Sequence, residues 1–316
     1  MKVLLQNSHP YQLLERERRH GGLSHAYLLL SADEDILRES LLFFAGVFFK
    51  DNDRACALIE KESFCDCLVF PKAGKKLTVE DATTIVEEAG IHPLEGEIKL
   101  FIVDGFQNAS PAVQNKLLKI LEEPPQGVCF LLGATTEFSL LPTVLSRVKK
   151  LELTPFTTAQ TEGYLQRNYP SLAKEEISFL AAASCGKISS VRSFIGEGFY
   201  KQVFEDALAL SFAPLSSLPA LCKKIGETKK KDALLSLLEI LFRDTAFLKA
   251  KKGLDSYLLA PFYKKEMEKL LSLYSVGVLL TFQQKLREAQ KQLKFNANFS
   301  WCLQSLFVWL AGNRKN

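Results

Sequence analysis

Several things are scarce in this sequence of 316 residues. No apolar run approaches the roughly 20 residues needed to cross a bilayer, and the stretch Leu41 to Phe49 falls far short of that. The N-terminus, MKVLLQNSHP, turns polar too soon for a secretory leader, so a cytoplasmic protein without membrane attachment is expected. The 7 cysteines are odd in number and scattered, which argues against a disulfide scaffold and for a reducing compartment. No CxxC pair occurs. Cys56, Cys65 and Cys67 are spaced C-x8-C-x-C, which lacks the paired knuckles of a structural zinc site, and His92 is a forced fourth ligand. No metal and no cofactor are expected. A GxxxxGK[ST] phosphate loop is also missing, and there is no convincing repeat or low-complexity segment.

What is present fits a folded protein of two or three domains. Hydrophobic residues make up 47% and charged residues 24%, and the length allows a substantial core. The net charge of +4 is unevenly spread, because the acidic side chains concentrate before residue 200 and the basic ones after it. A basic C-terminal part fits nucleic acid or acidic partners. Its simpler reading is a solvated, lysine-rich helical surface.

The most informative stretch is Ile98 to Leu153. Ile98 to Val103 is apolar except for Lys99 and predicts a buried strand ending at Asp104. Ser110-Pro111 has the pattern of an N-cap followed by proline at the first helical position. Val113, Leu117, Ile120 and Leu121 recur at helical spacing, and Pro124-Pro125 stops that helix. Val128 to Ala134 predicts a second buried strand. Pro142 starts a short helical turn that delivers Ser146-Arg147, and Lys149 to Leu153 reads as a third strand. Strand, helix, strand, with an acid at the first strand's C-terminal end, is the logic of a parallel nucleotide-binding sheet.

Asp104, Leu117-Leu118-Lys119, Leu121-Glu122-Glu123-Pro124-Pro125, Leu141-Pro142-Thr143 and Leu145-Ser146-Arg147 together resemble the clamp-loader branch of the AAA+ proteins. Within that branch the chain most resembles the bacterial delta-prime family of DNA polymerase III. The earlier string Leu23-Ser24-His25-Ala26-Tyr27-Leu28 resembles the start of the same core, and His25 reads there as a structural residue at a strand edge. The resemblance implies an α/β AAA+ core with a RecA-like parallel sheet over 1–155, a small helical lid over 156–199 and an all-α collar over 200–316. It is strong over 98–153 and weaker beyond 200.

Where an ATP-binding member carries its phosphate loop, this chain runs Ser31-Ala32-Asp33-Glu34-Asp35, then Ile36-Leu37-Arg38-Glu39-Ser40. No glycine frees the backbone to wrap phosphates and no lysine reaches them. Three consecutive carboxylates would repel an anionic ligand, at a cost on the order of 1 kcal/mol each near 4 Å even in water. Hydrolysing members also place a glutamate directly after the strand-end aspartate; here Gly105 follows Asp104. In the lid, Gly186 resembles the glycine three positions before a phosphate-sensing arginine, but that position is Ser189, and Arg192 lies one turn further on. Ser31 to Asp35, Asp104 and Gly105 are therefore read as a degenerate site, without bound nucleotide or hydrolysis.

One functional group matches the family's pattern. Ser146-Arg147 after LPTVL resembles its SRC motif, with Val148 in place of cysteine. The resemblance implies that Arg147 is an arginine finger, reaching across a subunit boundary to ATP held by a neighbour. A guanidinium suits this task, being always charged and forked to fit phosphate oxygens. The competing reading is an arginine paired with a surface carboxylate. The partners implied are clamp-loader ATPase subunits, a delta subunit and, through the complex, the sliding clamp and primed DNA. Two alternatives stand beside this: a divergent ATP-binding clamp-loader ATPase, and a free-standing DNA-binding adaptor using the basic C-terminal part.

For the remainder, helices are expected over 12–19, 36–49, 78–89, 158–166, 171–183, 189–194, 202–212, 218–225, 231–249, 256–273, 277–293 and 303–310. Asn296 and Asn298 resemble capping residues of the last helix. Trp301, Phe307 and Trp309 read as core or subunit interface.

Overall fold

A computed structural model describes residues 1–196, 199–227, 231–250, 258–293 and 297–315. The chain forms two compact units, Met1–Phe156 and Thr157–Asn316. The first contains, in order, α1 (Lys2–Gln6), α2 (His9–Arg19), β1 (Ala26–Ser31), α3 (Leu37–Ala45), α4 (Asp53–Ile59), β2 (Cys67–Phe70), α5 (Val79–Ala89), β3 (Lys99–Val103), α6 (Pro111–Glu122), β4 (Val128–Ala134), α7 (Pro142–Leu145) and β5 (Lys149–Leu153). The five strands form one sheet in the order β2-β3-β4-β1-β5, and every neighbouring pair is parallel. This is the α/β core implied by the motifs.

Strand burial explains the uninterrupted apolar runs. All five residues of β3 are buried, because helices cover both faces of the sheet. Ala26, Leu28, Phe101, Val103, Phe130 and Leu132 pack against α5 and α6 through Ile85, Val113, Leu117 and Leu121. On the opposite face α3 lies so close to β4 that a Cβ on Gly133 would come within 2.5 Å of Leu41 Cδ1. Lys99 is tolerated within β3 because its ammonium meets the Glu88 carboxylate (2.7 Å) and the Glu88 carbonyl (2.8 Å). That cation sits at the C-terminal end of α5, where a helix favours positive charge.

Helix starts follow their capping chemistry. Ser110 accepts from the Val113 N–H, with Pro111 behind it, and Thr78 and Asp81 form a reciprocal capping box on α5. The expected helix over 36–49 is shorter. It runs from Leu37 to Ala45 and then tightens into three-residue turns, with Val47, Phe48 and Phe49 donating to Phe44, Ala45 and Gly46. The helix expected from Gln12 begins earlier, at His9, where Pro10 suits the first turn.

The second unit is helical: α8 (Thr158–Asn168), α9 (Lys174–Ala183), α10 (Ile188–Gly196), α11 (Phe199–Phe212), α12 (Leu218–Gly226), α13 (Lys231–Ala250), α14 (Lys264–Leu273), α15 (Val276–Leu293) and α16 (Phe299–Gly312). Phe242, Phe282 and Phe307 stack in its core, with ring centroids 4.2 and 5.4 Å apart. The helix expected over 256–273 starts only at Lys264. Pro261 forces Ala260 out of the helical region and opens a short 3-10 turn instead; residues 251–257 lie outside the described residues. Asn298 caps α16 through the Trp301 N–H at 3.1 Å, whereas Asn296 lies outside the described residues. Phe307 is buried, but Trp301 is 76% exposed and does not belong to the core of the unit. Among the described residues, no helix is long and apolar enough to cross a membrane.

Candidate functional site

In a parallel sheet all strands end on one side, and a ligand belongs in the crevice outside their carboxyl ends. Here that edge carries the Ser31 to Asp35 segment after β1, Asp104-Gly105 after β3 and Thr135-Thr136 after β4. The acidic segment does not open directly into the α-helix. Glu34 to Ile36 form a 3-10 turn, Asp33 is buried, and Ala32, Glu34 and Asp35 are exposed. The Asp33 N–H donates to Ser31 Oγ at 3.3 Å. An open cavity of about 390 Å³ lies along this edge, lined by residues 30–32, 135–137, 150 and 152–155. Lys150 is the cation lining it, and it is paired with Glu137; Glu152 adds a second carboxylate.

Asp104 has a partner that sequence reasoning missed. Arg38, on α3, grips Glu62 with two parallel bonds (Nε to Oε1 2.6 Å, Nη2 to Oε2 2.7 Å). Its remaining terminal nitrogen donates to the Pro71 carbonyl (3.1 Å) and to Asp104 Oδ2 (3.3 Å). The Glu62 bonds hold this guanidinium above even its usual high range, so its charge is permanent. The acid at the end of β3 thus faces a fixed internal cation. Gly105, directly after it, sits at φ +64, a left-handed conformation suited to glycine. The only sequence clue to Arg38 was a lone basic residue just behind three carboxylates, whose long-range partners no spacing rule supplies.

Arg147 lies at the other end of the sheet. Lys149 pairs in register with Tyr27 and Leu153 with Ser31, so Arg147 precedes the start of β5, level with the entry to β1. At about 3.3 Å per residue, the Arg147 turn and the Ser31 to Asp35 segment are separated by roughly 20 Å along the strands. Arg147 Nη2 contacts Glu122 Oε2 at 2.7 Å, and Nη1 donates to the Thr143 carbonyl at 2.7 Å. Its Nε is buried and has no hydrogen-bond partner. The pairing with a carboxylate of its own chain, which is how the competing reading describes this residue, is therefore present in the isolated chain. His25 braces the same end, its Nε2 donating to the Leu121 carbonyl at 2.9 Å.

The turn carrying Arg147 is fixed from α6. Gln114 is buried; its amide donates to the Ala109 and Ser139 carbonyls (3.0 Å each) and accepts from the Leu141 N–H (2.8 Å). Gln107 accepts from the Thr135 N–H at 3.2 Å. The sequence signal for Gln114 is a polar residue among the apolar positions of α6.

In the second unit, Gly186 has φ +76, and Arg192 Nε lies 3.4 Å from the Tyr164 hydroxyl. Cys56, Cys65 and Cys67 do not converge. Cys56 Sγ faces the Gly46 and Phe49 carbonyls, and Cys65 faces Glu95. Burial pushes the Cys67 thiol up to about 12, far from the thiolate a metal needs. Among the described residues, no three His, Cys, Asp or Glu side chains are grouped as a metal site requires.

Comparison with known proteins agrees with this architecture. Residues 6–157 match the family model described as DNA polymerase III, delta subunit, which is nearly the extent of the first unit. Subunit tau/gamma of DNA polymerase III from Haemophilus influenzae is 33% identical over 140 residues, covering 42% of this chain and 20% of that one. Subunit tau from Escherichia coli is 32% identical over 142 residues, 44% and 22% of the two chains. Subunit delta' from Haemophilus influenzae is 28% identical over 191 residues, 57% of this chain and 58% of that one. The match thus spans only about a fifth of the tau/gamma and tau relatives' length. Over residues 6–157, just under half of its 316 residues, the chain is thus similar to clamp-loader subunits of DNA polymerase III.

Proposed function

We propose that this chain is a delta-prime-like subunit of a replicative clamp loader that neither binds nor hydrolyses ATP. It would act in the cytoplasm as a rigid stator and present Arg147 to ATP held by a neighbouring ATPase subunit while the sliding clamp is loaded on primed DNA. The lid over 156–199 and the collar over 200–316 belong to this reading, with the collar joining the chain to the ATPase subunits and a delta subunit.

The observation that carries the reading is the separation of two sites across one sheet. Arg147 stands at the amino ends of the strands, and the degenerate segment at their carboxyl ends. An arginine about 20 Å from its own chain's crevice cannot serve that crevice, so a triphosphate it touches must come from elsewhere. The crevice itself is poorly suited to an anion. Its acid faces Arg38, and Lys150 is already paired with Glu137. Phosphate there would meet Asp33, Glu34 and Asp35 without a lysine or a glycine loop.

Equilibrium binding of fluorescent ATP to the full chain with magnesium tests the first half of the reading. No saturation through the high micromolar range is expected. Saturable micromolar binding would replace the reading with that of a divergent ATP-binding subunit.

A further inference from the structure

The string Leu121-Glu122-Glu123-Pro124-Pro125 contains an acid that the fold does not use. Glu122 is the last residue of α6 and its side chain is 56% exposed. Among the described residues its partner is Arg147 Nη2, at 2.7 Å. The pose it holds is incompletely satisfied. Arg147 Nη1 has the Thr143 carbonyl and, at 3.4 Å, Ser146 Oγ, yet Nε is buried with no acceptor. A buried N–H without an acceptor carries its full desolvation penalty, which movement outward would relieve. The inward pose is held by the Glu122 charge and the Thr143 carbonyl, set against a buried, unsatisfied donor that favours release.

We propose that Glu122 is a latch for Arg147: it holds the guanidinium inward until a neighbouring subunit's nucleoside triphosphate, which carries more negative charge than one carboxylate, draws it out. This rests on the reading of Arg147 as a finger acting in trans. α6 fixes the position of the acid, since the Lys119 and Leu121 carbonyls of its last turn are bonded and Pro124 follows soon after. The turn carrying Arg147 is also held, through Gln114, so release is a swing of the long arginine side chain alone. The latch is weak, as an accessible pair must be, so a docked triphosphate can open it.

The test is steady-state ATP hydrolysis by the reconstituted loader, over a range of ATP concentrations, with clamp and primed DNA. It compares wild type, Glu122→Gln, Glu122→Lys, Arg147→Ala and the Glu122→Gln/Arg147→Ala double variant. Removing the counter-charge is expected to raise kcat about twofold to fivefold, the fold-change matching an accessible ion pair of about 0.4–1 kcal/mol. KM for ATP should stay constant, because the neighbour's own phosphate loop sets it. Glu122→Lys repels the guanidinium and should give at least the same rise. The double variant should match Arg147→Ala, since an unlatched finger needs the finger. If Arg147→Ala lowers the rate but Glu122→Gln leaves it unchanged or lowers it, the latch is wrong and the finger stands. If Arg147→Ala has no effect, the finger fails and the latch with it.

Discussion

Arg38 offers a sharp test of how the carboxyl end of the sheet is held. Arg38→Met keeps the apolar stem and removes the charge. Lost are two short bonds to Glu62, one long contact to Asp104 and one bond to the Pro71 carbonyl. The side chains of Arg38, Glu62 and Asp104 are 20%, 30% and 22% exposed. The loss should therefore lie between an accessible pair, below about 1 kcal/mol, and a buried pair broken on one side, about 3–5 kcal/mol. A cost of about 2–3 kcal/mol follows. For a unit of this size each 1 kcal/mol moves Tm by roughly 2–4 °C, so melting of the first unit should fall by roughly 4–12 °C. Calorimetry of the full chain reads this directly. A shift under about 1 °C would refute the idea that Arg38 organises this edge. Recovery of ATP affinity in Arg38→Met would refute the separate argument that the Ser31 to Asp35 segment itself excludes phosphate.

Other perturbations follow from the same geometry. Gln114→Ala removes three bonds and leaves the partly buried Leu141 N–H and the Ala109 and Ser139 carbonyls without this partner; about 2–4 kcal/mol should be lost in urea titration, and a loss below 1 kcal/mol would show that water replaces the amide. Asp244, fully buried, accepts from the Leu259 and Ala260 N–H groups (2.7 and 2.8 Å), yet desolvation raises its pKa above the usual carboxylate range. Its contribution to stability is thus fully present below about pH 4 and declines as pH rises through the raised value, so Asp244→Asn should flatten the fall of the urea midpoint above pH 4, and an unchanged slope would contradict this. Thiol labelling of the native chain should modify the exposed Cys65 and Cys185 within minutes and spare Cys67 and Cys222, whose thiols burial pushes up to about 12 and about 11; early loss of Cys67 would contradict its burial.

The sheet was legible where one local signal decided the structure. Continuous apolar runs marked β3 and β4, Ser110-Pro111 marked the start of α6, and Pro124-Pro125 marked its end. Legibility failed where a local break outweighed an apolar pattern. The Ile36 to Phe49 run looked helical throughout, but beyond Ala45 the bonds change to three-residue turns. The 256–273 pattern ignored Pro261, which governs the backbone of Ala260. Trp301, read as core or subunit interface by residue type, is not in the core, because its helix turns that side chain outward.

The candidate site divides in the same way. Its chemistry-bearing positions, Arg147, Asp104 and the acidic segment, were visible because they lie within short strings. Their relations were not visible. Arg38 and Asp104 are 66 residues apart. Arg147 and Glu122 lie on opposite sides of β4 in the chain, and Gln114 reaches forward to Leu141. Such pairings depend on strand order and register, which no periodicity encodes. The placement of Arg147 and the Ser31 to Asp35 segment at opposite ends of the sheet likewise followed only from the parallel register of β1 with β5.

The most direct measurement of the central claim is hydrolysis of ATP by the loader reconstituted with Arg147→Ala in this subunit, followed in a single turnover with clamp and primed DNA. Loss of an arginine finger costs on the order of 10³ or more in rate at the site it serves. The burst belonging to the adjacent ATPase site should disappear while the other sites and the assembly itself remain intact. A burst of unchanged size and rate from that site, in a complex that assembles normally, would contradict it.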